Sequence, residues 1–150
     1  MSCTCARVIA GLLLLGMTGC GAVKRVRECQ EVIETVNAGV AELQVQVPDA
    51  GASPAAYGAI ADAYEALGKR LAELSPSDGA LAKAVASYQD LMERAARQSR
   101  NYSEALAGAA RSQRERRDKE ARITRIRGQA KTDLAREATV LRKLNAVCHP

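Results

Sequence analysis

The chain has 150 residues, a length that favours a single domain, and its net charge is +5. It contains no Phe or Trp and only one histidine, so any core is built from aliphatic residues and tyrosine, and a metal site made of several histidines is excluded. The charge is uneven: residues 20–110 carry 9 basic and 12 acidic side chains, whereas residues 111–150 carry 12 and 5.

The first segment has the pattern of an export signal. Arg7 is followed directly by an apolar run from Val8 to Met17. Ten helical residues cover about 15 Å, roughly half of the ~30 Å hydrocarbon core, so the run is too short for an ordinary membrane span. A positive start, a short apolar stretch and small residues are typical of secretory signals.

The run ends in Met17-Thr18-Gly19-Cys20, which resembles the lipobox of bacterial lipoproteins. The resemblance covers only the first twenty residues. It implies that residues 1–19 are removed and that the Cys20 thiol carries diacylglycerol, with palmitate as a typical further acyl chain. Residues 20–150 would then be a membrane-anchored domain.

Gly21 follows the lipobox, where Asp would favour the inner membrane, so the resemblance implies the outer membrane and a domain facing the periplasm. Met17 departs from the usual Leu of the motif. Two alternatives stay open: an ordinary signal peptide with an incidental Cys20, and a buried first helix of a cytosolic protein.

The remaining cysteines predict one disulfide. Cys3 and Cys5 leave with the signal and Cys20 is lipidated, which leaves Cys29 and Cys148. An even pair in an oxidising compartment favours a bridge.

Four apolar seams with alternating three- and four-residue spacing predict four helices, at about 22–47, 54–74, 77–110 and 112–147. Pro48-Asp49 stops the first helix, Ser53-Pro54 begins the second, and Ser75 to Asp78 separates the second from the third. The seams are Val26, Cys29, Ile33, Val36, Val40, Leu43 and Val47; Tyr57, Ile60, Tyr64, Leu67, Leu71 and Leu74; Leu81, Val85, Tyr88, Met92, Ala95, Ser99, Tyr102, Leu106 and Ala109; and the looser Ile123, Ile126, Ala130, Leu134, Ala138, Leu141, Leu144 and Cys148.

Residues 110–122 are polar on every face, and Ser112 with Glu115 forms a capping-box pattern that predicts a turn near 108–112. The alternative is one long exposed helix held by opposite charges four residues apart.

We therefore predict an all-α fold: an antiparallel up-down-up-down four-helix bundle. An even number of antiparallel helices brings Cys29 and Cys148 to the same end. The third and fourth helices are longer and are expected to project about 15–20 Å beyond the others. This projection, residues 98–127, is called the basic hairpin, since it carries 9 basic and 4 acidic side chains.

No constellation of residues supports catalysis. His149 beside Cys148 lacks further ligands at zinc spacing, and Glu31, Glu34 and Glu42 fit the solvated face of a helix. The sequence predicts no enzyme, no metal and no cofactor.

The hairpin arginines are the candidate contacts for an anionic partner such as cell-wall polymer, lipopolysaccharide or an acidic protein. A merely solvated hairpin is the alternative, and nucleic acid is not expected because no aromatic residues are interleaved to stack bases. The candidates are Arg111, Arg114, Arg116, Arg117, Arg122 and Arg125.

The predicted function is thus a non-enzymatic envelope lipoprotein, a helical interaction or spacer module. The alternative is an accessory or chaperone-like lipoprotein that holds an apolar or helical client in its grooves.

Overall fold

A computed structural model describes the backbone of residues 6–46 and 53–149 and the side chains of 22–45 and 53–149. These residues form four helices: α1 (Ala6–Gln46), α2 (Pro54–Glu73), α3 (Gly79–Ala107) and α4 (Gln113–Cys148). No strand occurs within them, so the all-α prediction is confirmed. The side chain of Cys20 and the seam position Val47 lie outside the described residues.

Local capping explains where the helices begin. Pro54 opens α2, but the side chain of the preceding Ser53 makes no capping hydrogen bond, unlike the predicted cap. The carboxylate of Asp78 accepts hydrogen bonds from the backbone N–H groups of Ala80 and Leu81 at 2.8 and 2.9 Å. The third helix therefore begins at Gly79, because Asp78 provides the cap.

The predicted turn between the last two helices is confirmed, and one continuous helix is excluded. Ser112 Oγ accepts from the backbone N–H of Glu115, whose carboxylate accepts from the N–H of Ser112 at 3.0 Å. The Lys119 ammonium donates to the carbonyls of Leu106 and Gly108, both at 2.8 Å. The reciprocal cap and this lysine together fix the start of α4 against the end of α3.

Packing among the helices is unequal. α2 packs along α3, α3 along α4 and α1 along α2, whereas α1 and α4 meet over only a short stretch. A Cβ atom at Gly39 of α1 would lie 2.6 Å from Cδ1 of Leu67, so glycine permits the close approach of α1 to α2. The principal core contains Cys29, Val32, Val36, Leu67, Leu71, Leu81, Ala84, Val85, Tyr88, Leu91, Met92, Val140 and Leu144.

Several seam predictions are wrong in detail. Val26 is 67% exposed, and Val32, with 1% exposure, is buried instead of the predicted neighbour Ile33. Leu134 is 65% exposed and Ala138 is also exposed, in line with the limited contact between α4 and α1.

The predicted Cys29–Cys148 disulfide is present: the Sγ atoms lie 2.12 Å apart and the Cα atoms 5.6 Å apart. Arg25 adds a second link between α1 and α4 by donating to the carbonyl of Val147 at 2.6 Å. Ser77 donates its hydroxyl and its N–H to Glu28, and these bonds lower the pKa of the Glu28 carboxyl. This part of the bundle is called the disulfide end.

Candidate functional site

The basic hairpin presents its arginines to solvent. Every residue from Arg111 to Asp118 is exposed. Arg122 forms an ion pair with Glu104 at 3.2 Å. The other candidate arginines form no ion pair with any residue that the structure describes; these are Arg111, Arg114, Arg116, Arg117 and Arg125.

Their position on α4 makes this charge unusual. Arg114, Arg116 and Arg117 all fall within the first five residues of the helix, where Glu115 is the only acidic side chain. The N-terminus of a helix already carries a partial positive charge, so cations there are unfavourable by about 0.3–1 kcal/mol each. Backbone and side chains together therefore produce a concentrated positive potential at one point.

The hairpin is joined to the rest of the bundle through tyrosines. Arg127 donates to the hydroxyl of Tyr102 from Nη2 at 2.8 Å and from Nε at 3.2 Å. The Tyr102 ring lies edge-on to Tyr57 of α2, with ring centroids 4.4 Å apart. Ile126 packs against Tyr102 and Ala105 in a small separate cluster.

A cavity of about 360 Å³ lies between these tyrosines and the principal core. α2 contributes Tyr57 and Tyr64, and α3 contributes a row of side chains that ends at Tyr102. The remaining lining residues are Leu91, Met92, Ala95, Gln98, Ser99, Ile126, Arg127, Ala130, Asp133, Leu134 and Glu137. The cavity is lined by side chains of α2, α3 and the middle of α4, a stretch in which Leu134 is 65% exposed.

Two carboxylates, Asp133 and Glu137, line the cavity one helical turn apart on α4. Gln98 Nε2 donates to Asp133. Burial raises the pKa of Tyr64, and the Glu137 carboxylate raises it further. Burial, followed by Glu137 and Tyr64, raises the pKa of Tyr88 to about 12.

Sequence reasoning assigned the tyrosines to the seams and did not anticipate the cavity or its carboxylates. The available signal was the looseness of the fourth seam together with Asp133 and Glu137 beside it, the only acidic residues after Glu120. Carboxylates on the face of a basic helix that is turned toward the other helices favour a cavity at that face over close apolar packing.

Other candidate positions do not converge on a site. His149 is exposed at the end of α4 and donates its backbone N–H to the carbonyl of Asn145. Among the side chains of residues 22–45 and 53–149, no group of three or more potential metal ligands is found.

Comparison with profiles of known protein families, with curated proteins and with solved structures gives no match. Among the helices that the structure describes, none is both long and apolar enough to cross a membrane.

Proposed function

We propose that the mature chain is a non-enzymatic lipoprotein of the cell envelope, anchored through Cys20, whose basic hairpin contacts an anionic partner. The observation that carries the proposal is the cluster of Arg114, Arg116 and Arg117 at the first turns of α4, exposed and without carboxylate partners among the described residues. Natural helices favour acidic residues at this point, so the cluster works against stability and is better explained by binding.

Contacts between helices support an antiparallel up-down-up-down bundle. Leu43 near the end of α1 packs with Ile60 near the start of α2, and Glu28 near the disulfide end of α1 accepts hydrogen bonds from Ser77 just after α2. Ser103 near the end of α3 donates to the carbonyl of Pro54 at the start of α2. Arg122 and Glu104 pair in the same opposed sense between α4 and α3.

The same contacts support a projecting hairpin. α3 continues four residues beyond Ser103, or about 6 Å at 1.5 Å per residue. α4 continues from Arg122 back to Gln113, about 14 Å by the same measure. The projection would be formed mainly by α4 and would hold the arginine cluster clear of α1 and α2.

Anchor and hairpin would then lie far apart. Cys20 precedes the disulfide by nine residues of α1, and α4 extends about 50 Å from Cys148 to Gln113. With the lipid in the outer membrane, the hairpin would reach into the periplasm. This geometry suits a spacer that meets cell-wall polymer, lipopolysaccharide or an acidic protein, and no nucleic acid is expected.

Arginine suits such partners because its planar guanidinium forms paired hydrogen bonds to phosphate and carboxylate groups. Several arginines at one helix end would bind a polymer with repeated anionic groups more strongly than a single small anion. Binding should weaken as salt rises, since exposed charges are screened beyond about 10 Å at 0.1 M salt.

Lipidation is tested by intact-mass analysis of protein extracted from membranes. The expected product begins at Cys20 and carries diacylglycerol with a further acyl chain. Cys20→Ser should leave the unprocessed precursor, and an unmodified mature chain beginning at another residue would contradict the proposal.

The hairpin is tested by reversing three charges, Arg114→Glu, Arg116→Glu and Arg117→Glu, and measuring retention of the purified protein on isolated cell wall and on lipopolysaccharide. Retention should fall by about tenfold or more, while the free energy of unfolding should change by no more than about 1 kcal/mol per residue, because exposed ion pairs contribute little.

The matched control reverses three other exposed cations of α4, Lys131→Glu, Arg136→Glu and Lys143→Glu, with the same change in net charge. This variant should keep most of its retention. Equal loss in both variants would indicate a response to overall charge, and no loss in either would favour a merely solvated hairpin.

A second candidate function is the binding of a client in the bundle. The cavity bounded by Tyr57, Tyr64 and Tyr102 favours this function, because ligand sites are typically concave and lined by aromatic and aliphatic side chains. A fluorescent apolar dye that binds the native protein at the cavity would support it.

A further inference from the structure

The cavity differs in charge from the rest of α4. The helix carries 11 basic and 5 acidic side chains, and both acidic residues after Glu120 line the cavity. In the described part of the chain, neither Asp133 nor Glu137 forms an ion pair. A strongly basic helix therefore places two carboxylates without a cationic partner here, one of which, Asp133, also accepts from Gln98.

The one cation in the lining, Arg127, is already engaged. Two of its three guanidinium nitrogens, Nε and Nη2, donate to the hydroxyl of Tyr102, and its guanidinium carbon lies 5.8 Å from the centre of that ring. Arg127 and Glu137 are ten residues apart, about 15 Å along the helix. The cavity thus has a cationic end at Tyr102 and an anionic end at Glu137.

Apolar surface lies between these ends. Leu91 and Met92 of α3 and Ala130 and Leu134 of α4 contribute aliphatic side chains, and Tyr64 contributes a ring near the carboxylates. Aromatic rings attract cations through their faces, and this attraction strengthens where water is excluded. The combination of rings, aliphatic side chains and unpaired carboxylates matches a ligand with an apolar body and a positive end.

We propose that this cavity binds a small organic cation, a primary amine on an aryl or alkyl body, with its ammonium group between Asp133 and Glu137. The proposal narrows the second candidate function, on which it rests, and is independent of the basic hairpin. A volume of about 360 Å³ falls at the lower end of the range for small-molecule sites, about 300–1,000 Å³, and favours a ligand with a single ring.

Three ligands with one apolar body test the charge preference: 4-phenylbutylamine, 4-phenylbutan-1-ol and 4-phenylbutyrate. Affinity is measured on the full, oxidised chain by calorimetry and by tyrosine fluorescence, a useful readout because the chain has four tyrosines and no tryptophan, and three tyrosines line the cavity. The amine should bind about tenfold more tightly than the alcohol, since a charge-assisted hydrogen bond adds roughly a factor of ten, and the acid should bind most weakly.

The variant Glu137→Gln keeps the shape of the side chain and removes its charge. It should weaken amine binding by about tenfold and alter alcohol binding much less, because the amide oxygen still accepts from a hydroxyl but no longer provides a charge for the ammonium. Glu120→Gln, the same change at an exposed position on α4, should bind the amine like the unmodified chain.

Each outcome decides the proposal. Preference for the amine that disappears in Glu137→Gln supports it. Equal binding of amine and alcohol overturns the proposed preference for a cation and supports a cavity that binds apolar ligands. Tighter binding of the acid indicates instead that the cavity binds anions through Arg127. Failure of all three ligands overturns both this proposal and the second candidate function.

Discussion

The disulfide end and the basic hairpin use the same two helices, α3 and α4, in opposite ways. At the disulfide end, side chains from all four helices meet in one core, and a covalent bond and Arg25 join α1 to α4. In the basic hairpin, α3 and α4 share a small cluster around Tyr102 and Ile126, to which α2 adds Tyr57. The same two helices therefore line the principal core at one end and a much smaller cluster at the other.

The difference shows that the residues that stabilise the fold and the exposed charged residues lie in different parts of this chain. Apolar burial, which contributes about 25 cal/mol per Å², is concentrated among residues such as Leu67, Leu71 and Leu81, each with no exposed surface. The hairpin depends on a capping box and on Lys119, which stabilise its turn without burying much apolar area. The hairpin can therefore vary in charge with little effect on folding.

The largest expected effect is loss of the disulfide. Cys29→Ala with Cys148→Ala should lower the free energy of unfolding by about 4–5 kcal/mol on the chain-entropy model, because the bond closes a loop of 119 residues. Urea denaturation measures this, with the reduced unmodified protein as a parallel sample. A loss below about 1 kcal/mol would mean that the noncovalent contacts alone hold α1 against α4.

A smaller effect compares equivalent truncations in the two regions. Leu71→Ala in the core should cost about 3–4 kcal/mol, because it leaves a cavity among residues that cannot collapse. Ile123→Ala beside the hairpin cluster, where the side chain is only partly buried, should cost about 1 kcal/mol. Similar losses at the two positions would show that the hairpin is packed as firmly as the core.

A third prediction concerns the pH dependence of the free energy of unfolding, which we attribute to a tyrosine in the core. The pKa of Tyr88 is raised to about 12 in the folded chain by burial and by Glu137, whereas that of an unfolded tyrosine is near 10. The folded state therefore holds its proton more tightly, and stability present below pH 10 should decline as pH rises to 12. The decline should reach roughly 2–3 kcal/mol, at 1.36 kcal/mol per pKa unit.

Tyr88→Phe removes the ionisable group and should reduce this alkaline loss. Urea midpoints at pH 8, 10 and 11.5 measure it, and the variant should show a shallower pH dependence than the unmodified chain. An unchanged slope would assign the loss to another group, such as Tyr64, whose pKa is also raised.

Much of the fold follows from local sequence signals. Proline at the start of α2, the Ser112–Glu115 box and seam spacing predict helical segments because each depends on residues a few positions apart. The disulfide was also predictable, since two cysteines remain once the predicted signal and lipidation site are set aside, and both fall in seam phase. Seam phase failed at Val26 and Leu134, because burial there depends on whether another helix lies opposite.

Of the two candidate sites, one could be predicted from the sequence and the other could not. The exposed arginines could be found from sequence, since a run that is polar on all faces has no core to enter. The shape of the cavity could not, because it depends on how α2, α3 and α4 pack together, which is a property of tertiary structure. Asp133 and Glu137 have the spacing of any solvated helix face, and only their position opposite Tyr64 gives them a distinct chemistry.

The disulfide has a mechanical consequence. A pull applied between the segment before Cys29 and His149 passes straight through the sulfur–sulfur bond, and the 118 intervening residues carry no load. A pull between that segment and the turn after α3 is instead divided between two parallel paths, one through α1, α2 and α3 and the other along α4 alone. The shorter path is a single continuous helix, so tension reaching the turn would be borne first by α4 and its hydrogen bonds.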